Sequence, residues 1–177
     1  MKHKILGKQN NSSGCIVCGD HNELSLNTRF YELENGEVAA VFRTEEWHQS
    51  YPGRVHGGMS AAVLDETIGR ALCINEPETW GVTIELDIKY RKPVPTGAIL
   101  TATGRITRNS RKIFEGSGEI LLPDGTVAVE AKGKYFKMAI KDLVNEEFLE
   151  AEWYQIEEDD PEEIELGYEN TADGASQ

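Results

Sequence analysis

Two glycines and a carboxylate are the residues of this sequence whose types and spacing suit chemistry. In RVHGGMSAAVLDETIGRAL, residues 54–72, Gly57 and Gly58 open an apolar segment that reads as a helix, and Asp65-Glu66 interrupts its middle. Glycine is roughly 1 kcal/mol worse than alanine inside a helix, and no Ser, Thr, Asp or Asn stands at the entry to cap the free amides. Such a start leaves its first N–H groups uncovered, and those amides with the helix dipole suit a developing negative oxygen. An ester or thioester carbonyl placed there would be polarised by the Gly57 or Gly58 amide, worth about 3 kcal/mol of barrier. Asp65, about two turns further along, has a side chain able to take a proton from water or to attack a carbonyl directly. Apolar surroundings would raise its pKa toward working pH. Asp65 and Glu66 project about 100° apart on a helix, so they do not both enter one small site. Asp65 is favoured because it shares a stripe with Ala61 and Gly69, where a ligand or another backbone can approach. The plainer alternative is a tight chain entry followed by an ordinary solvated or salt-bridged aspartate.

The elements around this helix are legible from periodicity. Residues 24–33 and 37–44 read as two strands joined at Asn35-Gly36, a two-residue hairpin signal. A polar connection follows, and then the helix, roughly 57–75, with Pro77 just beyond its end. In TIELDIKYR, Ile84, Leu86, Ile88 and Tyr90 alternate with Thr83, Glu85, Asp87, Lys89 and Arg91, which predicts a strand with the two sets on opposite faces. Further strands are expected at about 97–108, 112–122 and 126–138, turned at Asn109-Ser110 and at Pro123-Asp124-Gly125. Short links imply antiparallel neighbours. One long helix among antiparallel strands implies an α+β fold in which the curved sheet wraps around the helix and buries it nearly all round.

Charge divides the chain. The net charge is −13, yet residues 145–177 hold 13 acidic side chains and no Lys or Arg, leaving 18 acidic against 18 basic residues in 1–144. The body is balanced and the acidity belongs to a tail. The expected organisation is a flexible segment at 1–14, a domain at 15–140, and an acidic tail at 141–177 that forms a short helix and is then disordered for want of apolar side chains. The tail reads as solubilising, or else as docking for a basic partner. No basic nucleic-acid footprint is present. No apolar run approaches the ~20 residues of a membrane span, and the opening MKHKILGKQNNSSG lacks an apolar signal core. Three cysteines do not make a disulfide framework. A cytoplasmic protein is expected.

HGG at the helix start, LDE and a following glycine within the helix, and TIELDIKYRKPVPTG as the next strand together resemble the hot-dog fold acyl-CoA thioesterases of the phenylacetate-degradation (PaaI-like) type. The similarity covers about residues 14–138, and CIVCGDHNELSLNTRFY resembles a Cys-x-x-Cys-Gly opening found in one branch of that family. The resemblance implies a thioester hydrolase in which one amide of Gly57 or Gly58 polarises the thioester carbonyl. It places His56 at the helix entry to position the substrate or the loop, Asp65 as nucleophile or base, and Thr83 as a hydroxyl residue that helps to hold water. Gln49 and Ser50 are the nearest candidates for the amide residue that the family carries before its histidine. It also implies a homodimer or a dimer of dimers, with the active site between two subunits.

Coenzyme A needs a narrow, largely apolar channel and cations for its phosphates. Arg108, Arg111 and Lys112 at one hairpin and Arg91 and Lys92 at another site are the candidates, although exposed hairpins carry such charges routinely. Trp47, Tyr51 and Trp80 are candidates for the acyl pocket or for packing. Cys15-x-x-Cys18 supplies two metal ligands and His21 a conceivable third, short of the four of a structural zinc site, so the pair reads as a turn with Gly19 allowing the bend. Cys73 reads as a small buried apolar group. No metal and no cofactor are expected, CoA being part of the substrate. Beside hydrolysis stand two other readings: a hot-dog protein that binds acyl-CoA without turnover, and a dehydratase or hydratase, whose motif context HGG does not match.

Overall fold

The computed structural model describes residues 1–167. Its elements are β1 (Lys2–Lys8), β2 (Asn11–Ser12), β3 (Arg29–Leu33), β4 (Val38–Arg43), β5 (Gln49–Tyr51) and β6 (Arg54–Val55), then the helix α1 (Gly57–Arg70). After it come β7 (Thr79–Tyr90), β8 (Ile99–Asn109), β9 (Ile113–Leu121), β10 (Val127–Ala139), the short helix α2 (Glu146–Ala151), β11 (Trp153–Tyr154) and β12 (Glu163–Glu165). Eight strands form one antiparallel sheet in the order β12-β1-β3-β4-β8-β9-β10-β7, and α1 lies across one of its faces. This is the expected hot-dog architecture.

The helix sits deep on the sheet because the sheet surface beneath it is glycine. A methyl group at Gly104 would lie 2.5 Å from the Thr67 carbonyl oxygen, and one at Gly116 would lie 2.5 Å from the Ile68 side chain. Hydrogen alone lets the two backbones meet. Val63, Leu64 and Ile68 of α1 then pack with Phe30, Phe114, Leu100 and Ile120 in the main core. Each such side chain contributes about 1.5–3 kcal/mol when fully buried. The opposite side of α1 is less covered than the sequence suggests: Met59, Ala61, Ala62, Asp65, Glu66 and Gly69 are only half-buried, because the sheet wraps one side of the helix. The helix proper ends at Arg70, and one 3-10 turn carries it to Ile74.

Three further departures have physical causes. The β3–β4 hairpin closes through three residues: Leu33 donates its N–H to Glu37, and Gly36 donates to Leu33 with φ +78°. Asn35 is not left-handed, so the two-residue turn that needs φ > 0 at both positions is excluded and a bulged loop takes its place. In β7 the register steps from Glu85 opposite Lys134 to Thr83 opposite Tyr135, which leaves Ile84 as an extra residue. This bulge changes the face of everything before it. Leu86 and Ile88 pack toward the core as expected, Ile84 is 54% exposed, and Thr83 turns toward α1 instead of away from it.

The ends of the chain also depart from expectation. Residues 2–8, expected as flexible, form β1 beside β3, and the acidic segment continues past α2 into β12, which pairs with β1. Two apolar side chains suffice to dock it. Ile164 and Leu166 are buried against Tyr31, Leu33, Ala39 and Leu121 on the sheet face turned away from α1. The acids meet cations of the same chain: Asp160 pairs with Lys8 at 2.6 Å and Glu158 with Arg29 at 2.8 Å. The disorder expected for residues 168–177 lies outside the described residues. No described helix is long and apolar enough to cross a membrane.

Candidate active site

The helix start is capped by a residue outside the usual capping set. His56 has extended backbone, and its Nδ1 accepts the Gly58 N–H at 2.8 Å. Accepting at Nδ1 places the ring proton on Nε2. The two glycines make room for rings: a methyl group on Gly58 would meet His56 Nδ1 at 2.9 Å, and one on Gly57 would meet the Tyr90 hydroxyl at 3.2 Å. Tyr90 donates its hydroxyl proton to the Gly57 carbonyl at 2.8 Å. The Gly58 amide is therefore occupied, and Gly57 N–H is the one for which no acceptor is seen among the described residues. His56 N–H is itself fixed by the His48 carbonyl at 2.7 Å. His48 is buried, with its Nδ1 accepting from Glu45 N–H at 2.9 Å.

Asp65 lies in the wall of a different concavity. Thr83 Oγ1 stands 2.9 Å from Asp65 Oδ1 and 3.0 Å from Oδ2, so its single proton is shared between the two oxygens. Tyr135, which stands opposite Thr83 in the β7–β10 register, donates to the Asp65 carbonyl at 3.1 Å. Burial raises the Asp65 carboxyl above the ordinary range, the Thr83 hydrogen bond pulls it back in part, and no cation is among the groups that act on it. Glu66 turns the other way, to Arg70 at 2.8 Å.

The cavity that Asp65 borders has a volume of about 660 Å³. Thr83, Gly69 and Tyr135 border it beside Asp65, and Trp80, Phe148 and Trp153 form an aromatic wall. Trp80 and Trp153 meet edge to face with centroids 4.9 Å apart. The sequence names Trp80 as a pocket candidate; Phe148, Trp153 and Tyr135 carry no motif, and only the fold reveals them. Trp47 and Tyr51 are exposed and border neither concavity. Cys73, expected as a buried apolar group, also borders the cavity, where burial pushes its thiol up to about 11.

Gly57 borders a smaller cleft of about 290 Å³, with Tyr90, Arg91 and Lys92. Of the cations expected near phosphates, Arg91 and Lys92 are thus beside the helix start, with Arg91 paired to Glu130 at 3.0 Å. Arg108 pairs with Glu115 at 3.6 Å, and Arg111 and Lys112 are exposed at the hairpin tip away from both concavities. Gln49 and Ser50 are exposed on β5 and border neither. One chain therefore brings Asp65 to Thr83 and brings His56 to the glycines, but keeps the two groups apart. Gly57 and Asp65 are eight residues apart on one helix, about 12 Å along its axis.

The comparisons with known proteins agree with this architecture. The thioesterase superfamily model matches residues 52–129. Acyl-coenzyme A thioesterase 13 of Homo sapiens is 26% identical over 102 residues, which is 58% of this chain and 72% of that protein. A crystal structure of a thioesterase superfamily protein is 30% identical with a TM-score of 0.65, covering 70% of this chain and 60% of that one. The PaaI protein of the E. coli phenylacetic acid degradation operon shares the fold at a TM-score of 0.58 and 18% identity, covering 64% of this chain and 81% of that one. The segment that carries the helix entry, Asp65 and Thr83 is thus the one that the thioesterase superfamily model matches, on a hot-dog fold.

Proposed function

We propose that this chain is a thioester hydrolase that cleaves acyl-CoA to a carboxylic acid and free CoA, working as a symmetric pair of chains. The observation that carries the reading is Asp65: a carboxylate raised by burial, held by a neutral hydroxyl, in the wall of a cavity with space for an acyl chain.

Asp65 takes a proton from water as the water oxygen bonds to the thioester carbon. The oxyanion then collapses, the C–S bond breaks, and the leaving thiolate is protonated. In the alternative course an Asp65 oxygen attacks the carbon, forms a mixed anhydride and expels the thiolate, and water then attacks the anhydride at the Asp65 side-chain carbon, releasing the acid. Single turnover in labelled water separates the two, because only the second puts the label into Asp65.

An oxyanion donor must lie about 3 Å from the carbonyl oxygen, which an amide about 12 Å from Asp65 does not satisfy. A second copy does. Gly57, Ala61 and Asp65 follow one another at i, i+4 and i+8 on one stripe. Two α1 helices packed antiparallel across Ala61 bring each Gly57 opposite the other chain's Asp65. The small Ala61 allows that approach, and β7 ends the sheet with Val82 and Ile84 exposed at its outer side. Arg91 and Lys92, beside Gly57, are then the cations nearest the CoA phosphates. Arg108, Arg111 and Lys112 are left for a more distant part of the nucleotide.

The test is free-thiol release from short, medium, long-chain and aryl acyl-CoAs, with the parent chain and Asp65→Ala side by side, and sedimentation of both. Turnover by a dimer, lost in the variant, supports the reading. Binding of acyl-CoA without turnover across the panel replaces it with a non-catalytic binder. A turning-over monomer removes the shared site.

A further inference from the structure

The geometry points to a zinc site made by Cys15, Cys18 and Glu66, independent of the hydrolytic reading. One donor atom from each of the three lies within 4.8 Å of the others. The first two come from the turn before β3 and the third from the middle of α1, so the site forms only in the folded chain. His21 is exposed and outside this group.

The turn is built to present sulfur. Val17 N–H points at Cys15 Sγ at 3.3 Å, and Gly19 N–H closes the turn on the Cys15 carbonyl at 2.9 Å. A methyl group on Gly19 would lie 2.3 Å from the Ser13 carbonyl oxygen, so no other residue fits that corner. Asn11 holds the Cys18 carbonyl at 2.7 Å from beneath.

The carboxylate is aimed as well. Both contacts of Arg70 with Glu66 fall on one oxygen, Oε1, at 3.0 and 2.8 Å, and Arg70 Nη2 also stands 3.5 Å from Cys18 Sγ. The other oxygen, Oε2, is left facing Cys15 Sγ at 3.3 Å. Arg70 is fixed in turn by stacking on Phe30 at 4.0 Å and by donating to the Asn10 carbonyl at 2.8 Å. A group that holds a ligand carboxylate from behind is the usual outer shell of a metal site. Charge closes too: two thiolates and a carboxylate leave one excess negative charge on a divalent ion, and Arg70 balances it. Thiolate with carboxylate in a compact four-coordinate space favours zinc over hard cations. Cys15 and Glu66 border the large cavity, so the fourth position opens onto it and takes water. The ion would tie the turn at residues 13–19 to α1 and fix that wall of the cavity.

The test uses the full chain, reduced with a phosphine. Expected are one equivalent of zinc retained through gel filtration and, with cobalt in its place, the intense visible bands of a tetrahedral ion with sulfur-to-cobalt charge transfer. Joint replacement Cys15→Ser, Cys18→Ser abolishes both, and Glu66→Gln weakens zinc at least tenfold while keeping the charge-transfer band. Failure of the reduced parent to retain zinc overturns the site. So does the faint spectrum of an octahedral cobalt ion, or equal uptake by the double serine variant. The parent's cobalt spectrum reads sulfur ligation directly and does not depend on how well any variant folds.

Discussion

Asp65 and Glu66 are neighbours on α1, yet the two faces of the helix give them opposite surroundings. On one face Asp65 meets neutral hydroxyls, those of Thr83 and Tyr135, is partly buried, and has its carboxyl raised. On the other, Glu66 gives one oxygen wholly to the buried guanidinium of Arg70 and the second to a cysteine turn. A neutral partner orients a carboxylate and leaves it without a counter-charge. A cation pairs with it, and turns the carboxylate into a fastening. The roughly 100° between adjacent helical positions is enough to separate these fates.

The contrast predicts a hierarchy of effects. Asp65→Ala should lower kcat by about a thousandfold, the range of a lost general base, while Tm moves by no more than about 2 °C, since no cation is stranded. A rate within twofold of the parent would put the reactive carboxylate elsewhere. Glu66→Gln should act on stability, costing about 3 kcal/mol and lowering Tm by roughly 6–12 °C, because it leaves Arg70 buried without its anion. Urea unfolding measures this, and an unchanged midpoint would mean that Glu66 is no fastening. Gly57→Ala sets a methyl group against the Tyr90 ring at 3.2–3.3 Å and shifts the first turn, so kcat should fall about a hundredfold with KM changed less. Equal losses in binding and turnover would instead make Gly57 a packing residue. Thr83→Val, the smallest change, should lower kcat about tenfold by freeing the Asp65 carboxylate from the Thr83 hydrogen bond. A parent-like rate would show that the cavity wall alone orients Asp65.

The sequence exposes the helix, its carboxylates and most strands, because those signals are periodic and local. Asp65 stands out because a charge within an apolar run is legible without coordinates. Thr83 enters only through family resemblance, and simple alternation assigns it to the wrong face. The bulge at Ile84 depends on the partner register at Lys134 and Tyr135, far away in the chain. The His56 cap is missed because capping preferences are read from short oxygen-bearing side chains, and an imidazole nitrogen does the same work here. Counting ligands around Cys15-x-x-Cys18 finds two, since nothing in the spacing connects that turn to Glu66. The ordered acidic strand escapes a compositional argument for a similar reason. Ile164 and Leu166 are few, but they fall on one face at a spacing of two, and an open strand edge is waiting for them.

That last pairing has a mechanical consequence. Lys2 lies opposite Glu165, and the amino group of Met1 donates to the Leu166 carbonyl at 2.5 Å, so residues 1 and 166 meet side by side at the outer edge of the sheet. Force applied to these two points loads the β1–β12 hydrogen bonds one after another, as in an opening zipper, and not all at once in shear. The outer edge should peel away at low force as a separate first event. The Asp65 cavity takes part of its wall from Lys8, Gln9 and Glu32, so it should stay closed while β12 leaves and open only when β1 itself parts from β3, in a second rupture.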